Sequence, residues 1–247
     1  MDNVGESNAR NRAFKEAFSR LTIIQNTVKT MDRDAVIFDI GGHIGESIVY
    51  FRGLFPGALI YSFEPDPDSF VKLKAFADEK TFCYNIALSD TTGPVDFFRN
   101  RIGHTNSLLP VNMSSKDSIY FQKARNAQEA WEPDRFNQKT VVNAMRLDEF
   151  CVEHRIEQID LLKVDVQGAE TKVLNGGVRI LERVKNIIVE ISFFDYYSQQ
   201  SSFCDVEKSI NIFGFKLYAI TEISNNPMNG RTDWAEVIYT KTGEKPV

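Results

Sequence analysis

The stretch VIFDIGGHIGES, residues 36–47, constrains the fold of this chain more than any other. An apolar run with an aspartate is followed by glycines at positions 41, 42 and 45, and then by the start of a helical pattern. Glycines in such a turn let the backbone approach a ligand closely or adopt a positive φ. The stretch therefore predicts a strand, a tight turn and a helix whose N–H groups face a nucleotide at the sheet edge.

The spacing of the glycines separates the classes of nucleotide. The dinucleotide fingerprint G-x-G-x-x-G is not met by Gly41, Gly42 and Gly45. The Gly-Lys-Ser/Thr sequence of a phosphate-binding loop is absent as well. A nicotinamide-dependent oxidoreductase is therefore the less favoured alternative.

Two acids favour S-adenosylmethionine as the nucleotide. A carboxylate at Asp39 would repel a pyrophosphate but suits a ligand with an ammonium or sulfonium centre. Glu64 comes nineteen residues after Gly45, at the end of the second predicted strand, where an acid accepts hydrogen bonds from ribose hydroxyls. The alternative is that Asp39 caps the helix and that Glu64 is a solvated strand end.

Apolar strands alternate with helical patterns along the chain. We predict helices over residues 44–54, 68–76, 170–181 and 204–213. We predict strands at AVIFDI, ALIYSFE, TFCYNIAL, IDLLKVDV, NIIVEIS, FKLYAI and WAEVIYT. Continuous apolar strands between helices indicate a parallel sheet covered on both faces. Because the last two strands are joined only by SNNPMNGRTD, we expect an α/β fold, mostly parallel, with one antiparallel strand near its C-terminal end.

Two segments stand apart from this alternation. Residues 1–33 form a predicted N-terminal helical extension, whose amphipathic helix over 13–28 packs on the main domain or acts as a lid or dimer contact. The main domain is expected at 34–247, with an insert at 99–146 that carries eight Lys and Arg against four acids. That cationic surplus favours a substrate-covering segment for an acceptor with phosphate or carboxylate groups over a solvated loop.

Composition limits the partners and the compartment. The chain has 247 residues and a net charge of −5, which argues against a nucleic-acid or membrane-surface binder. No apolar run approaches membrane-spanning length, and the polar start MDNVGESNARNR lacks the core of a signal peptide. The three cysteines are far apart, as expected for reduced thiols in a cytoplasmic protein. We expect a small-molecule or glycan acceptor, and neither nucleic-acid binding nor membrane insertion. A homo-oligomer is compatible with the sequence.

Five segments resemble, in order, those of FkbM-type S-adenosylmethionine-dependent methyltransferases. They are FDIGGHIGES, FEPDP, NIALSD, LLKVDVQGAETKVLNGG and IIVEIS, between about residues 36 and 191. The resemblance implies a class I methyltransferase fold, Rossmann-like, with a seven-stranded sheet. It also implies methylation of a hydroxyl on a sugar, glycan or natural product. The alternative is a module that binds S-adenosylmethionine without turnover.

The same resemblance implies which residues bind the cofactor. The glycine turn would hold the methionine part, Glu64 the ribose, the NIALSD segment the adenine, and Asp165 the region of the methyl group. The implied set is Asp39, Gly41, Gly42, His43, Gly45, Glu64, Pro65, Asp66, Asn85, Ala87, Ser89 and Asp165. Gln167 departs from the family, whose members often have Glu there, so no carboxylate role is carried over to it.

A base is expected because a sugar hydroxyl is a poor nucleophile at neutral pH. The candidates are Asp165 at a strand end, His43 in the glycine turn, His104 in the insert, and Asp195 after the fifth strand. A divalent cation between Asp165 and either Asp195 or Glu190 is the less favoured alternative, since no compact carboxylate cluster appears in the sequence. We therefore expect a metal-free site.

Overall fold

The computed structural model describes residues 35–125, 132–226 and 230–241. The predicted N-terminal helical extension, 1–33, lies outside the described residues. Within those ranges, strands and helices alternate along most of the chain and build two sheets.

The larger sheet has seven strands, and their order fixes the fold class. In spatial order they are β3 (Thr81–Tyr84), β2 (Leu59–Phe63), β1 (Val36–Ile40), β7 (Ile159–Val164), β8 (Val184–Ser192), β10 (Thr232–Lys241) and β9 (Phe215–Asn225). β10 runs antiparallel to both of its neighbours, and every other pair is parallel. This confirms the predicted Rossmann-like, seven-stranded sheet with one antiparallel strand.

A second sheet of three strands was not predicted. It contains β4 (Ala87–Ser89), β6 (Gln138–Arg146) and β5 (Gly93–Arg99), in that spatial order. The predicted strand TFCYNIAL is therefore divided between β3 and β4, because the chain leaves the large sheet after Tyr84. The segment at 99–146 also ends in a regular strand, β6, whose residues 138–144 pair with the whole of β5.

Six α-helices are described, and most of the predicted ones are present with shifted ends. They are α1 (Glu46–Leu54), α2 (Pro67–Leu73), α3 (Lys116–Arg125), α4 (Leu147–Glu153), α5 (Glu170–Gly176) and α6 (Phe203–Asn211). The prediction that α5 continues to Leu181 is wrong, because the helix stops before Gly177 and a 3₁₀ turn covers Ile180–Arg183. α4 was not predicted.

The strands of the large sheet are buried on both faces because successive side chains point to opposite sides. Phe38 and Leu162 belong to the core on one face, where side chains of α4, α5 and α6 pack. Ile37 and Leu161 belong to the core on the other face, together with side chains of α1. Helices therefore cover both faces, and the polar strand ends are left at one edge. In the described part of the chain, no helix combines the length and apolarity needed to cross a bilayer.

Candidate active site

One cavity of about 280 Å³ lies at the edge where the parallel strands of the large sheet end. Clefts at this edge are where α/β proteins bind their ligands. Its polar and charged lining residues are His43, Glu46, Ser47, Glu64, His104, Asn106, Ser107, Lys163, Asp165, Gln167, Glu190, Ser192, Tyr196, Tyr197 and Trp234. Ile40, Gly41, Gly42, Phe63, Pro65, Ile86, Ala87, Leu88, Phe97, Gly103, Leu108 and Val166 complete the wall.

The glycine turn packs directly against the end of β7. Gly41 has φ +85°, and a Cβ added there would lie 1.9 Å from the carbonyl oxygen of Asp165, so only glycine fits. The backbone N–H groups of Gly41 and Gly42 each donate to the carbonyl of Phe63 at 3.0 Å. These two N–H groups therefore hold the turn onto β2.

Asp39 lies beneath the turn and does not line the cavity. Its side chain is fully buried, and Oδ2 accepts a hydrogen bond of 2.7 Å from Ser62 Oγ. Its Oδ1 lies 3.6 Å from Lys163 Nζ. The side chain therefore points under the turn and is paired with Ser62 and Lys163, and its contact with a cofactor stays a prediction.

Glu64 presents its carboxylate to the cavity from the end of β2. The backbone N–H of His43 donates to Oε2 at 2.9 Å, and that of Asp66 donates to Oε1 at 2.7 Å. Burial raises the pKa of Glu64 to about 7, although both N–H groups act to lower it. The carboxyl is thus fixed in orientation and changes charge near neutral pH.

Lys163 connects the two acids at the ends of β1 and β7. Its Nζ lies 3.2 Å from Asp165 Oδ2 as well as 3.6 Å from Asp39 Oδ1. Burial alone would lower the pKa of Lys163, but the charges of Asp165, Asp39 and Glu236 raise it above its usual value. The ammonium therefore stays charged and is occupied by carboxylates of the protein.

Gln167 joins the acids at the ends of β7 and β8. Its Nε2 donates to Asp165 Oδ1 at 2.9 Å and to Glu190 Oε1 at 3.1 Å. Its Oε1 lies 3.0 Å from the hydroxyl of Tyr197. Burial raises the pKa of Glu190 well above its usual value, and the nearby charges of Asp165 and Glu170 raise it further.

The first part of the segment at 99–146 forms the opposite wall. Gly103, His104, Asn106, Ser107 and Leu108 line the cavity. The hydroxyl of Ser107 lies 2.8 Å from the backbone carbonyl of residue 167 and donates to it. This wall is therefore attached to the turn that follows β7 and carries Asp165.

Arg99 and Lys139 of the same segment do not line the cavity. Arg99 Nε lies 2.8 Å from Asp66 Oδ1, and Arg99 also pairs with Asp68. Lys139 pairs with Asp96 at 2.8 Å. Among the described residues that line the cavity, Lys163 is the only lysine or arginine.

The predicted site residues divide into two groups. Those that line the cavity are Gly41, Gly42, His43, Glu64, Pro65, Ala87, His104 and Asp165. Those that do not line it are Asp39, Gly45, Asp66, Asn85, Ser89 and Asp195. Asp195 is exposed to solvent beyond the wall, so the structure does not bring it to the other candidates. Asn85 instead donates to the backbone carbonyls of Glu64 and Pro65, and supports the strand end from outside.

Sequence reasoning missed several of the lining side chains. Glu190 was named only as a possible cation ligand, although a charged residue inside the apolar run NIIVEIS is by itself a signal for a functional position. Trp234 carried no such signal, because it reaches the cavity from β10. In residues 35–125, 132–226 and 230–241, no group of three or more His, Cys, Asp or Glu side chains is arranged to hold a metal ion.

Comparison with known proteins assigns the family. Residues 39–217 match the family model described as the methyltransferase FkbM domain. The chain belongs to the FkbM methyltransferase family. The matched range contains the glycine turn, Glu64, Asp165, Gln167 and Glu190, so most of the cavity lies inside the family domain.

Three relatives illustrate the range of this family. The 2-O-methyltransferase NoeI of Sinorhizobium fredii is 31% identical over 77% of this chain and 79% of its own length. The 31-O-demethyl-FK506 methyltransferase FkbM of Streptomyces tacrolimicus is 25% identical over 74% of this chain and 74% of its own. The hexuronic acid methyltransferase AglP of Haloferax volcanii is 25% identical over 68% and 61%, respectively.

This FkbM-family protein is an enzyme, an S-adenosylmethionine-dependent O-methyltransferase. That conclusion confirms the function implied by the resemblance. The two alternatives, a binding module without turnover and a nicotinamide-dependent oxidoreductase, are therefore not retained.

Proposed function

We propose that the enzyme methylates a hydroxyl of an uncharged, sugar-like acceptor, which binds between Asp165 and the aromatic wall of the cavity. One observation carries this proposal. The lining combines carboxyl, hydroxyl and amide groups with the rings of Tyr196, Tyr197 and Trp234, and its only described lysine or arginine, Lys163, is paired with two acids. Such a surface suits a polyol with one apolar face and offers no cation to an anionic group.

Our proposal for the charge of the acceptor differs from the sequence-based expectation. That expectation placed phosphate or carboxylate groups against the cationic surplus of residues 99–146. Arg99 and Lys139 are instead engaged by acids of the protein, and neither lines the cavity. The acidic lining, with Glu46 and Asp165, would repel an anion. We therefore propose a neutral acceptor.

Glu64 and its neighbours fit S-adenosylmethionine. A carboxyl held by two N–H groups offers its remaining lone pairs to ribose hydroxyls. The side chains of Phe63, Ile86 and Leu88 form an apolar slot beside it that suits a purine. We assign Glu64 to the ribose, the slot to the adenine, and the turn at Gly41 and Gly42 to the methionine part. When bound there, S-adenosylmethionine supplies a methyl group made electrophilic by a sulfonium.

Asp165 is the proposed base. Its carboxylate is half-buried, lines the cavity, and lies on the strand end beside the glycine turn. It would accept the proton of the acceptor hydroxyl as the new O–CH₃ bond forms and the bond from the methyl group to sulfur breaks, with S-adenosylhomocysteine as the leaving group, and would later release that proton to solvent. Lys163 and Gln167 fix its two oxygens at 3.2 and 2.9 Å, so the base is oriented before the acceptor binds. Leu108 and Tyr197 exclude water from the same space.

The two histidines are assigned to the wall and not to proton transfer. The rings of His43 and His104 are nearly perpendicular, with centroids 6.1 Å apart. His43 Nδ1 lies 3.9 Å from Glu46, and His104 is exposed. We propose that His104, with Asn106 and Leu108, covers the bound acceptor, which gives this part of the 99–146 segment its substrate-covering role.

A matched acceptor screen tests the proposal. Pairs of glycosides that differ only in a neutral hydroxymethyl or a carboxylate group, such as glucosides and glucuronides, are incubated with the enzyme and labelled methyl donor. The proposal expects label in a methyl ether of the neutral member of a pair. Methylation confined to the acidic members would overturn the assignment of a neutral acceptor. Calorimetry with S-adenosylhomocysteine, with NAD as the control, verifies that the protein used is competent for the cofactor.

A further inference from the structure

Gln167 lies between two acids, an arrangement in which proteins commonly bind a cation. Its amide nitrogen lies 2.9 Å from Asp165 Oδ1 and 3.1 Å from Glu190 Oε1. A primary amide has two N–H bonds, and here each one is directed to a different carboxyl group. The two acids therefore share one nitrogen as their common donor.

The other end of the side chain fixes which atom of the amide faces the acids. Gln167 Oε1 lies 3.0 Å from the hydroxyl of Tyr197, which donates either to it or to the carbonyl of Thr105, also at 3.0 Å. An amide rotated by half a turn would place its oxygen against Asp165 and Glu190 and would lose both bonds. The network thus selects the orientation in which the N–H groups meet the acids.

The backbone of Gln167 is held as firmly as its side chain. The residue has φ +57°, in the left-handed region that a side-chain-bearing residue seldom adopts, and Gly168 follows with φ +94°. The hydroxyl of Ser107 donates to the carbonyl of Gln167 at 2.8 Å. These restraints fix the direction of the side chain, which projects its amide into the cavity.

The electrostatics explain what the amide does there. Asp165 and Glu190 approach each other in surroundings that raise the pKa of Glu190, first by burial and then by the charges of Asp165 and Glu170. Lys163 Nζ is within ion-pair distance of Asp165, and its other such contact is Asp39. In proteins, two facing carboxylates are commonly bridged by a hard divalent cation with oxygen ligands. At this place the polarised N–H groups of Gln167 stand between the two oxygens.

We propose that Gln167 is a positioning residue that takes the place of a bridging divalent cation. It holds Asp165 and Glu190 in the arrangement that the acceptor meets, and it makes methyl transfer independent of added metal. The positioning role rests on the proposed function, in which Asp165 is the base. The geometry has a direct corollary: a carboxylate at position 167 would give three acids around one point, and these would bind Mg²⁺ or Mn²⁺.

Two variants separate this proposal from a structural role. Gln167→Glu exchanges the donor for a third acid of the same size, and Gln167→Met removes the donor without adding charge. Rates are measured in excess EDTA and after titration with Mg²⁺ or Mn²⁺. The wild type is expected to keep its rate in EDTA, whereas Gln167→Glu should lose at least about tenfold and regain most of it with the metal. Gln167→Met should lose a similar factor in kcat and should gain nothing from the metal.

Metal binding is read without turnover, which keeps this test apart from that of the proposed function. Electron paramagnetic resonance of Mn²⁺ is expected to show a bound ion in Gln167→Glu and none in the wild type or Gln167→Met. Affinity for S-adenosylhomocysteine verifies that each variant is folded. The proposal is overturned if the wild type loses activity in EDTA and recovers it with Mg²⁺. It is equally overturned if a folded Gln167→Glu binds no Mn²⁺, even where no acceptor has been identified.

Discussion

Arg99 Nε lies 2.8 Å from the buried Oδ1 of Asp66, so the first cation of the 99–146 segment is bound to the residue that caps α2. The pair joins the last residue of β5 to the loop that follows the strand of Glu64. It therefore connects the second sheet to the proposed cofactor site and is not available to an acceptor.

The first prediction follows from this ion pair. Arg99→Gln leaves the buried carboxyl of Asp66 without its cation and should lower the free energy of unfolding by about 1–3 kcal/mol. Arg135→Gln is the matched control, because its pair with Glu132 is exposed on both sides, and it should change stability by less than about 0.5 kcal/mol. Urea unfolding of both variants measures the difference. If the acceptor KM rises with salt, or rises in Arg99→Gln and not in Arg135→Gln, the proposal of a neutral acceptor is wrong and an anionic acceptor is favoured instead.

The second prediction concerns pH and Glu64, whose pKa is about 7 in the cofactor-free enzyme. Ribose hydroxyls donate to the ionised carboxyl, so binding favours the form without the proton. The affinity for S-adenosylhomocysteine should therefore fall about tenfold between about pH 8 and about pH 6. Calorimetry at the two values measures it, and Glu64→Gln should bind more weakly and lose most of this pH dependence. An equally steep dependence in Glu64→Gln would remove Glu64 from the ribose.

The same raised pKa has a defined effect on stability. Because the folded-state pKa of Glu64 lies above its usual value of 4.5, its favourable contribution is complete below about 4.5. That contribution is lost as the pH rises through about 7. Unfolding of the cofactor-free wild type and of Glu64→Gln should therefore differ in pH dependence within this window.

The third prediction concerns the aromatic wall. Trp234→Ala removes a ring that lines the cavity and should raise the acceptor KM by about 1 kcal/mol, or roughly fivefold, while the affinity for S-adenosylhomocysteine stays the same. Phe193→Ala is the control. Phe193 is also aromatic and follows Ser192, the residue of β8 that pairs with Trp234, but its side chain is 44% exposed and does not line the cavity. Steady-state kinetics on a neutral acceptor measures both. Equal effects of the two substitutions would show that Trp234 acts only through packing.

The fourth prediction uses a pair of glycines. At Gly41 an added Cβ would lie 1.9 Å from the carbonyl oxygen of Asp165, whereas at Gly53 in α1 nothing lies within 4 Å. Gly41→Ala should therefore destabilise the enzyme by more than about 2 kcal/mol, since it needs both a positive φ and a displaced strand end. Gly53→Ala should stabilise it by about 0.4–1 kcal/mol. Thermal unfolding distinguishes them, and a normal stability of Gly41→Ala would show that the turn and β7 are less closely packed than described.

Sequence patterns predicted the large sheet well because its strands are buried on both faces and read as unbroken apolar runs. The reversed direction of β10 also followed from a connection too short for a crossover. The second sheet was missed because β6 alternates exposed and buried residues inside a segment that reads as a polar insert. Periodicity does not show where a chain leaves one sheet for another, as it does after Tyr84.

Within the candidate site, the sequence-based candidates Glu64 and Asp165 line the cavity, whereas Asp39 does not. Side chains of a strand alternate between faces, and the spacing of motifs does not say whether a strand-end acid points toward the ligand or under the turn. The partnership of Gln167 with Glu190 was equally hidden, because it depends on how β7 and β8 lie side by side. Contacts between distant segments are set by packing and not by local pattern.

The central claim is that Asp165 removes the proton of the acceptor hydroxyl, and single-turnover methyl transfer by Asp165→Asn tests it most directly. With S-adenosylmethionine and a neutral acceptor both saturating, the rate should fall by about 10²–10⁴. The affinity for S-adenosylhomocysteine should change less than about threefold, because Asn keeps the size of the side chain and the proposed ribose and adenine contacts lie elsewhere. Asp195→Asn, the exposed control, should keep the wild-type rate. A folded Asp165→Asn that transfers methyl at the wild-type rate would contradict the account.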